Sequence, residues 1–199
     1  MSSHHFVREG QEPAVWVLGT EFSEEILGTL LEWSPIVIVT LPAVKRLLSL
    51  QIKIDRILSA ENEEDTQRFF SSLYPIEWVN TNDIYSYLWK KIEEAPTYIY
   101  ITGLDNHQLQ KLFCETPEHL RQYIIGITLT EKWICPPAVW TKWLAKGQVF
   151  SLSGKTSDWS IQGKILREKG FFLSGEDQLL QFKNLSNQCF IEHLQILSP

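Results

Sequence analysis

Residues 54–65 read IDRILSAENEED, a short apolar strand running into a loop with four carboxylates: Glu61, Glu63, Glu64 and Asp65. The loop after a strand of an open α/β sheet is where a metal or a phosphate is held. Carboxylates there can grip a divalent cation. Carboxylates at the start of a helix instead answer the positive end of its dipole and need no ligand. The run favours this second use, a solvated helix start. Asp83, which follows Asn82 ahead of a helical pattern, divides the same way between metal ligand and N-terminal carboxylate. Of the histidines, His4 and His5 lie by a terminus and are expected to be solvated, whereas His107 sits in GLDNHQ (103–108), a turn-like stretch with Asp105 and Gly103. Lys45 and Arg46 can meet phosphate, but an exposed helix face is the favoured account of them. GKTSDW (154–159) lacks the earlier glycine of a phosphate loop and falls among short strands, so it is not read as one. Spacing alone assembles no Ser-His-Asp or Cys-His set, because such sets are built in space.

The elements that position these residues alternate strand and helix through the first two-thirds. AVWVL (14–18) reads as a strand. SEEILGTLLEW (23–33) reads as a helix, with Ser23 as cap, Glu24 and Glu25 at the positive end, and Ile26, Leu27, Leu30 and Leu31 on one face. IVIV (36–39) is a β-branched run of the kind buried on both faces in a parallel sheet. A helix over 42–50 with Pro42 in its first turn, strands at 54–58, 76–79, 98–101 and 123–129, and helices near 62–73 and over 83–94 continue the pattern. Strands separated by helix-length segments imply right-handed βαβ units. The last 70 residues change character. Gly147, Gly154, Gly163, Gly170 and Gly175 punctuate short apolar stretches, which suggests an antiparallel sandwich or barrel. Segment 136–147 admits either a helix or strand and turn. The expected fold class is therefore α/β: an N-terminal mostly parallel sheet with flanking helices, over 1–130, plus a smaller C-terminal antiparallel β-sandwich over 131–199.

Composition narrows the function. A chain of 199 residues buries roughly 70% of its unfolded surface and needs no staples. A net charge of −6 argues against nucleic acid or a membrane surface as partner. Three scattered cysteines, Cys114, Cys135 and Cys189, form no CxxC pair and suit a reducing cytoplasm. MSSHHFVREGQEP has no apolar segment of a signal peptide, and no run approaches the length of a membrane span. A soluble cytoplasmic protein is expected. Eight tryptophans are many, and each is a core ring or an interface anchor.

Certain stretches carry a resemblance. VREGQEPA (7–14), LLEWSP (30–35), LQIKID (50–55) and YPIEWV (74–79) resemble the bacterial thiamine pyrophosphokinases, as do KWLAKGQVFSL (142–152), LREKGFFL (166–173) and LSNQ (185–188) in the back third. The resemblance runs nearly end to end and turns 136–147 toward strand and turn. It implies ATP-dependent pyrophosphoryl transfer to the hydroxyl of thiamine, with Mg²⁺ and ATP as cofactors and a homodimer as the assembly. Aspartates at the strand ends would hold the metal that neutralises the phosphates.

Measured against the family's four acidic motifs, this chain departs at most of them. The Asp-Gly turn after the second strand is Leu41-Pro42. The Gly-Asp-x-Asp after the third strand is Ser59-Ala60-Glu61-Asn62. The pair opening the fourth helix keeps Asp83. The Gly-x-x-x-Asp-His turn keeps Gly103 and His107 but has Asn106, with Asp105 beside it. Ser186 and Asn187 match a thiamine-site segment, and Gly103 a nucleotide-site position. The candidates are thus Asp83 and His107 for catalysis; Asp83, Glu61 and Asp105 for metal; and Ser186, Asn187 and Gly103 for ligand. Three readings follow: a catalytically impaired relative that binds thiamine, a related small molecule or a partner; an active divergent enzyme in which Asp83, Glu61 and Asp105 rebuild the metal site; and an interaction module that pairs with an active paralogue.

Overall fold

The computed structural model describes residues 13–33, 35–59, 68, 76–153, 159–163, 165–168, 171–184 and 188–194. Six parallel strands form the front of the main sheet: β1 (Ala14–Val17), β2 (Ile36–Thr40), β3 (Arg56–Ser59), β4 (Glu77–Asn80), β5 (Ile99–Thr102) and β6 (Ile124–Ile127). Their order across the sheet is β4-β3-β2-β1-β5-β6. Among the described residues four helices flank them: α1 (Glu24–Leu31), α2 (Leu41–Ser49), α3 (Ile84–Glu94) and α4 (Asn106–Glu115), followed by a 3₁₀ turn over Glu118–Tyr123; the helix expected near 62–73 lies outside the described residues.

Alternation along each strand divides the core between two faces. Trp16, Ile38, Leu58 and Ile101 point to one side, where Leu88 and Ile92 of α3 and Leu109, Leu112 and Phe113 of α4 cover them. Val15, Val17, Val37, Val39 and Ile57 point to the other, under Leu27 of α1 and Ala43, Val44 and Leu47 of α2. Each such side chain contributes about 1.5–3 kcal/mol on burial, so the β-branched run at 36–40 is fixed in a central strand. Ser23 caps α1, its hydroxyl accepting the Ile26 amide at 3.3 Å, as expected. β3 starts two residues later than its pattern suggests. The Asp55 carboxylate accepts the Val37 amide at 2.9 Å, and the strand proper begins at Arg56.

Behind β6 the chain turns and pairs antiparallel. β7 (Glu131–Ile134) bonds to β6 with Gly126 opposite Trp133. Beyond it lie β14 (Phe190–His193), β9 (Val149–Leu152), β12 (Phe171–Ser174) and β11 (Ile165–Glu168), so among the described residues the main sheet has eleven strands. A second sheet of three, β10 (Trp159–Gln162), β13 (Gln178–Asn184) and β8 (Val139–Leu144), packs against its rear half. Segment 136–147 is strand and turn, ending at Gly147 with φ +83°. Between the rear sheets Phe150 stacks on Phe172 and Phe190 with centroids 5.2 and 5.0 Å apart, and Trp140 meets Phe182 at 5.2 Å. The sequence boundary at 130/131 falls in the β6–β7 turn, across which the ladder continues. Among the described residues no helix is long and apolar enough to cross a membrane.

Candidate functional site

In a sheet of this order the chain moves away from β1 in opposite directions through β2 and β5, and ligands bind at the carboxyl ends of strands beside such a switch point. Here the loops after β1 and β5 meet. The Leu18 amide donates to the Thr102 carbonyl at 2.9 Å, and Glu21 bridges to Gly103. Gly103 has φ +88°, and a Cβ on it would lie 2.5 Å from the Gly19 carbonyl oxygen. The nucleotide-site match at Gly103 is therefore a close crossing of two backbones.

After β2 the helix starts at once. Thr40 is the N-cap of α2, with Leu41 and Pro42 as its first residues and no side-chain cap bond. The Thr40 hydroxyl is buried and has no hydrogen-bond partner among the described residues. Arg46 of α2 reaches back to the loop after β1. Its guanidinium donates to the carbonyls of Thr20 and Phe22, pairs with Glu24 at 3.2 Å, and lies 4.2 Å over the Phe22 ring. Of the two basic candidates, Arg46 is a staple and Lys45 is exposed.

Asp83 is the N-cap of α3. Its carboxylate accepts the amides of Tyr85 and Ser86, each at 3.0 Å, and the Ser86 hydroxyl at 2.6 Å. The Ser86 hydroxyl, with the two amides, holds this carboxyl below its ordinary pKa. Asp105 caps α4 in a reciprocal box. Its Oδ1 accepts the Gln108 amide at 2.7 Å, while the Gln108 side chain accepts the Asp105 amide at 3.0 Å. His107 is exposed on the first turn of α4. Asp83 follows the edge strand β4 and Asp105 follows β5, four strand intervals away, or about 19 Å at ordinary sheet spacing. The two do not converge. Asp83 stands instead beside the end of β3, where the Thr81 amide donates to the Ser59 carbonyl at 2.9 Å. Glu61, the acidic run to Asp65, Ser186 and Asn187 lie outside the described residues.

No protein-family model matches the chain, and no curated protein matches it by sequence. Solved structures match it by shape. The thiamine pyrophosphokinase of Bacillus subtilis superposes with a TM-score of 0.64 at 13% identity, over 92% of this chain and 100% of that one. The thiamin pyrophosphokinase of Candida albicans gives 0.66 at 10%, over 94% and 91%. That of Geobacillus thermodenitrificans gives 0.64 at 9%, over 94% and 99%. The chain has the thiamine pyrophosphokinase fold.

Mg²⁺ wants an octahedron of oxygens, with carboxylates free to face it. On this thiamine pyrophosphokinase scaffold Asp83 and Asp105 each turn their Oδ1 to helix amides, and the position after β2 offers leucine and proline. The described donors do not fit a divalent cation: they include no cluster of three or more His, Cys, Asp or Glu placed to hold one.

Two features escaped the sequence. The first is a cavity of about 450 Å³ between α4 and strands β7 and β14, walled by Phe113, Trp133, Arg121, Ile191 and Cys189. Phe113 and Trp133 stack there with centroids 5.8 Å apart. Its walls come from segments distant in the chain, which no local spacing signals. The second is a polar chain across β9, β14 and β7. Ser151 Oγ and His193 Nε2 are 2.9 Å apart, and His193 Nδ1 lies 3.5 Å from Glu131. That last distance is long for a hydrogen bond, and the Glu131 carboxylate takes the Trp133 indole N–H at 2.8 Å. The Ser151–His193 contact ties β9 to β14, and Glu131 of β7 lies beside it.

Proposed function

We propose that this chain is a catalytically impaired relative of the thiamine pyrophosphokinases that binds a thiamine-class ligand. One observation carries the reading: Asp83, the motif aspartate that is kept, and Asp105, the neighbour of the substituted one, each cap a helix, and Leu41-Pro42 stands where the first metal-anchoring turn belongs. Each missing anchor removes several kcal/mol of phosphate stabilisation. A leucine cannot replace it, and a proline also deletes an amide that could meet phosphate.

Ligand binding is supported by the cavity. Its volume is that of a small-molecule site, and an aromatic pair lines it beside Gln188 and Cys189, which directly follow Ser186 and Asn187. Arg121 gives one wall positive charge. Thiamine diphosphate, a net anion, is accordingly expected to bind more tightly than cationic thiamine. Titration calorimetry with both ligands checks the order, and Trp133 fluorescence reports occupancy.

The decisive assay is formation of thiamine diphosphate from thiamine, ATP and Mg²⁺. Turnover below roughly a hundredth of an ordinary member is expected; turnover within about tenfold of one overturns the proposal. That second outcome favours the active reading, and Asp83→Ala would then abolish Mg²⁺-dependent ATP binding.

A partner-binding reading draws on a different observation. Val139, Trp143 and Leu179 are 57%, 61% and 62% exposed on the outer sheet, with Trp143 opposite Leu179. Such rings are natural interface anchors. If this face closes the homodimer implied by the resemblance, Trp143→Glu shifts sedimentation from dimer to monomer. An unchanged species excludes this face.

A further inference from the structure

Cys135 follows β7 and Cys189 precedes β14. Because these strands pair with Ile134 opposite Phe190, one further step along the antiparallel register sets Cys135 against Cys189. Their sulfurs are 3.5 Å apart, and the residues are 3% and 5% exposed. Each thiol borders its own opening. Cys189 lies on the cavity of about 450 Å³, and Cys135 on a smaller one of about 80 Å³ beside Glu118, His119 and Pro136. Arg121 is anchored nearby through the carbonyls of Thr116 and Cys114, at 2.9 and 3.3 Å.

We propose that Cys135 and Cys189 are a peroxide-oxidised thiol pair that closes reversibly to a disulfide. This goes beyond the ligand-binding reading and does not depend on it. The sulfurs need only approach from 3.5 Å to the bonded distance of about 2.05 Å, across strands already in register. Cys135 is the attacking sulfur. The Cys189 S–H donates to it and Arg121 adds positive charge, so its thiol titrates below the ordinary range, while the Cys189 thiol is pushed up. The burial selects a small oxidant. A hydroperoxide reaches a thiol that a bulky disulfide cannot.

In the first step the Cys135 thiolate attacks the O–O bond of hydrogen peroxide. An S–O bond forms, the O–O bond breaks, and hydroxide leaves to take up a proton as water. In the second step Cys189 gives up its proton and its thiolate attacks the Cys135 sulfenic sulfur. The S–S bond forms and the S–O bond breaks, and the hydroxyl leaves with that proton as water. Two thiols are oxidised and one peroxide is reduced to two waters. Cys114 also borders the larger cavity but is exposed, and it takes no part.

The test uses the full chain and hydrogen peroxide, with remaining thiols alkylated in denaturant before non-reducing peptide mapping. The expected product is one linked peptide pair, Cys135 to Cys189, formed with joint loss of both thiols and reversed by dithiothreitol. In Cys189→Ser, Cys135 stops at the sulfenic acid and is trapped by dimedone. A disulfide through Cys114, or full alkylation of Cys135 and Cys189 after peroxide, overturns the proposal. Both results are read on the unaltered protein, so a variant that fails to fold does not blunt the test.

Discussion

At Asp83 one carboxylate meets two amides and a hydroxyl, and its behaviour with pH follows. Its folded pKa lies below the unfolded value of about 3.9. The stability it adds is therefore complete above that value and lost as pH falls through the lower, folded one. Asp83→Ala should lower the urea midpoint at pH 7, and the gap from the parent protein should shrink in acid; a gap independent of pH would contradict the capping role. Two glycines give opposite signs. Gly103→Ala forces a side chain into positive φ against the Gly19 backbone and should cost about 2–4 kcal/mol. Gly28→Ala, exposed in mid-helix with open space around it, should stabilise by about 0.5–1 kcal/mol. Denaturant unfolding of the two variants reads both.

Arg46 joins two elements rather than two residues. Its guanidinium holds the loop after β1 against α2 through two carbonyls, a carboxylate and a ring. Arg46→Ala should cost about 1–2 kcal/mol, and Arg46→Lys should recover little, because an ammonium cannot fork to several acceptors while stacking on a ring. A lysine that restores full stability in thermal unfolding would refute the staple. At this scale the sequence was legible where signals are local. Ser23 and Asp83 announce their helices, and the β-branched run at 36–39 announces a buried strand. It was opaque where partners are remote. Lys45 and Arg46 look alike in one dimension, yet Arg46 finds its acceptors 22 to 26 positions away. Cys135 and Cys189 meet across 54. Leu41-Pro42 was legible as a departure from the family's acidic turn, while the cavity was not legible, since five distant segments wall it.

Across the whole molecule, the change from parallel to antiparallel pairing occurs inside one sheet. The order of α/β units followed by a β-rich third was readable from the alternation of strand and helix patterns and then from the glycine spacing. That β7 would continue the β6 ladder was not, because strand neighbours are set by turn geometry and by the packing of Trp133 against α4. With hydrogen bonds crossing from β6 to β7, the front and rear are expected to unfold together. Calorimetry should give one transition with matching calorimetric and van't Hoff enthalpies, and two resolved transitions would argue that the rear folds as its own unit. The same ladder acts as a beam without a joint. A jaw-like swing of front against rear would tear main-chain bonds along its length, so a ligand of the Phe113–Trp133 chamber would enter past small rotations of side chains at its mouth, and its association should be limited by encounter and slow in proportion to solvent viscosity.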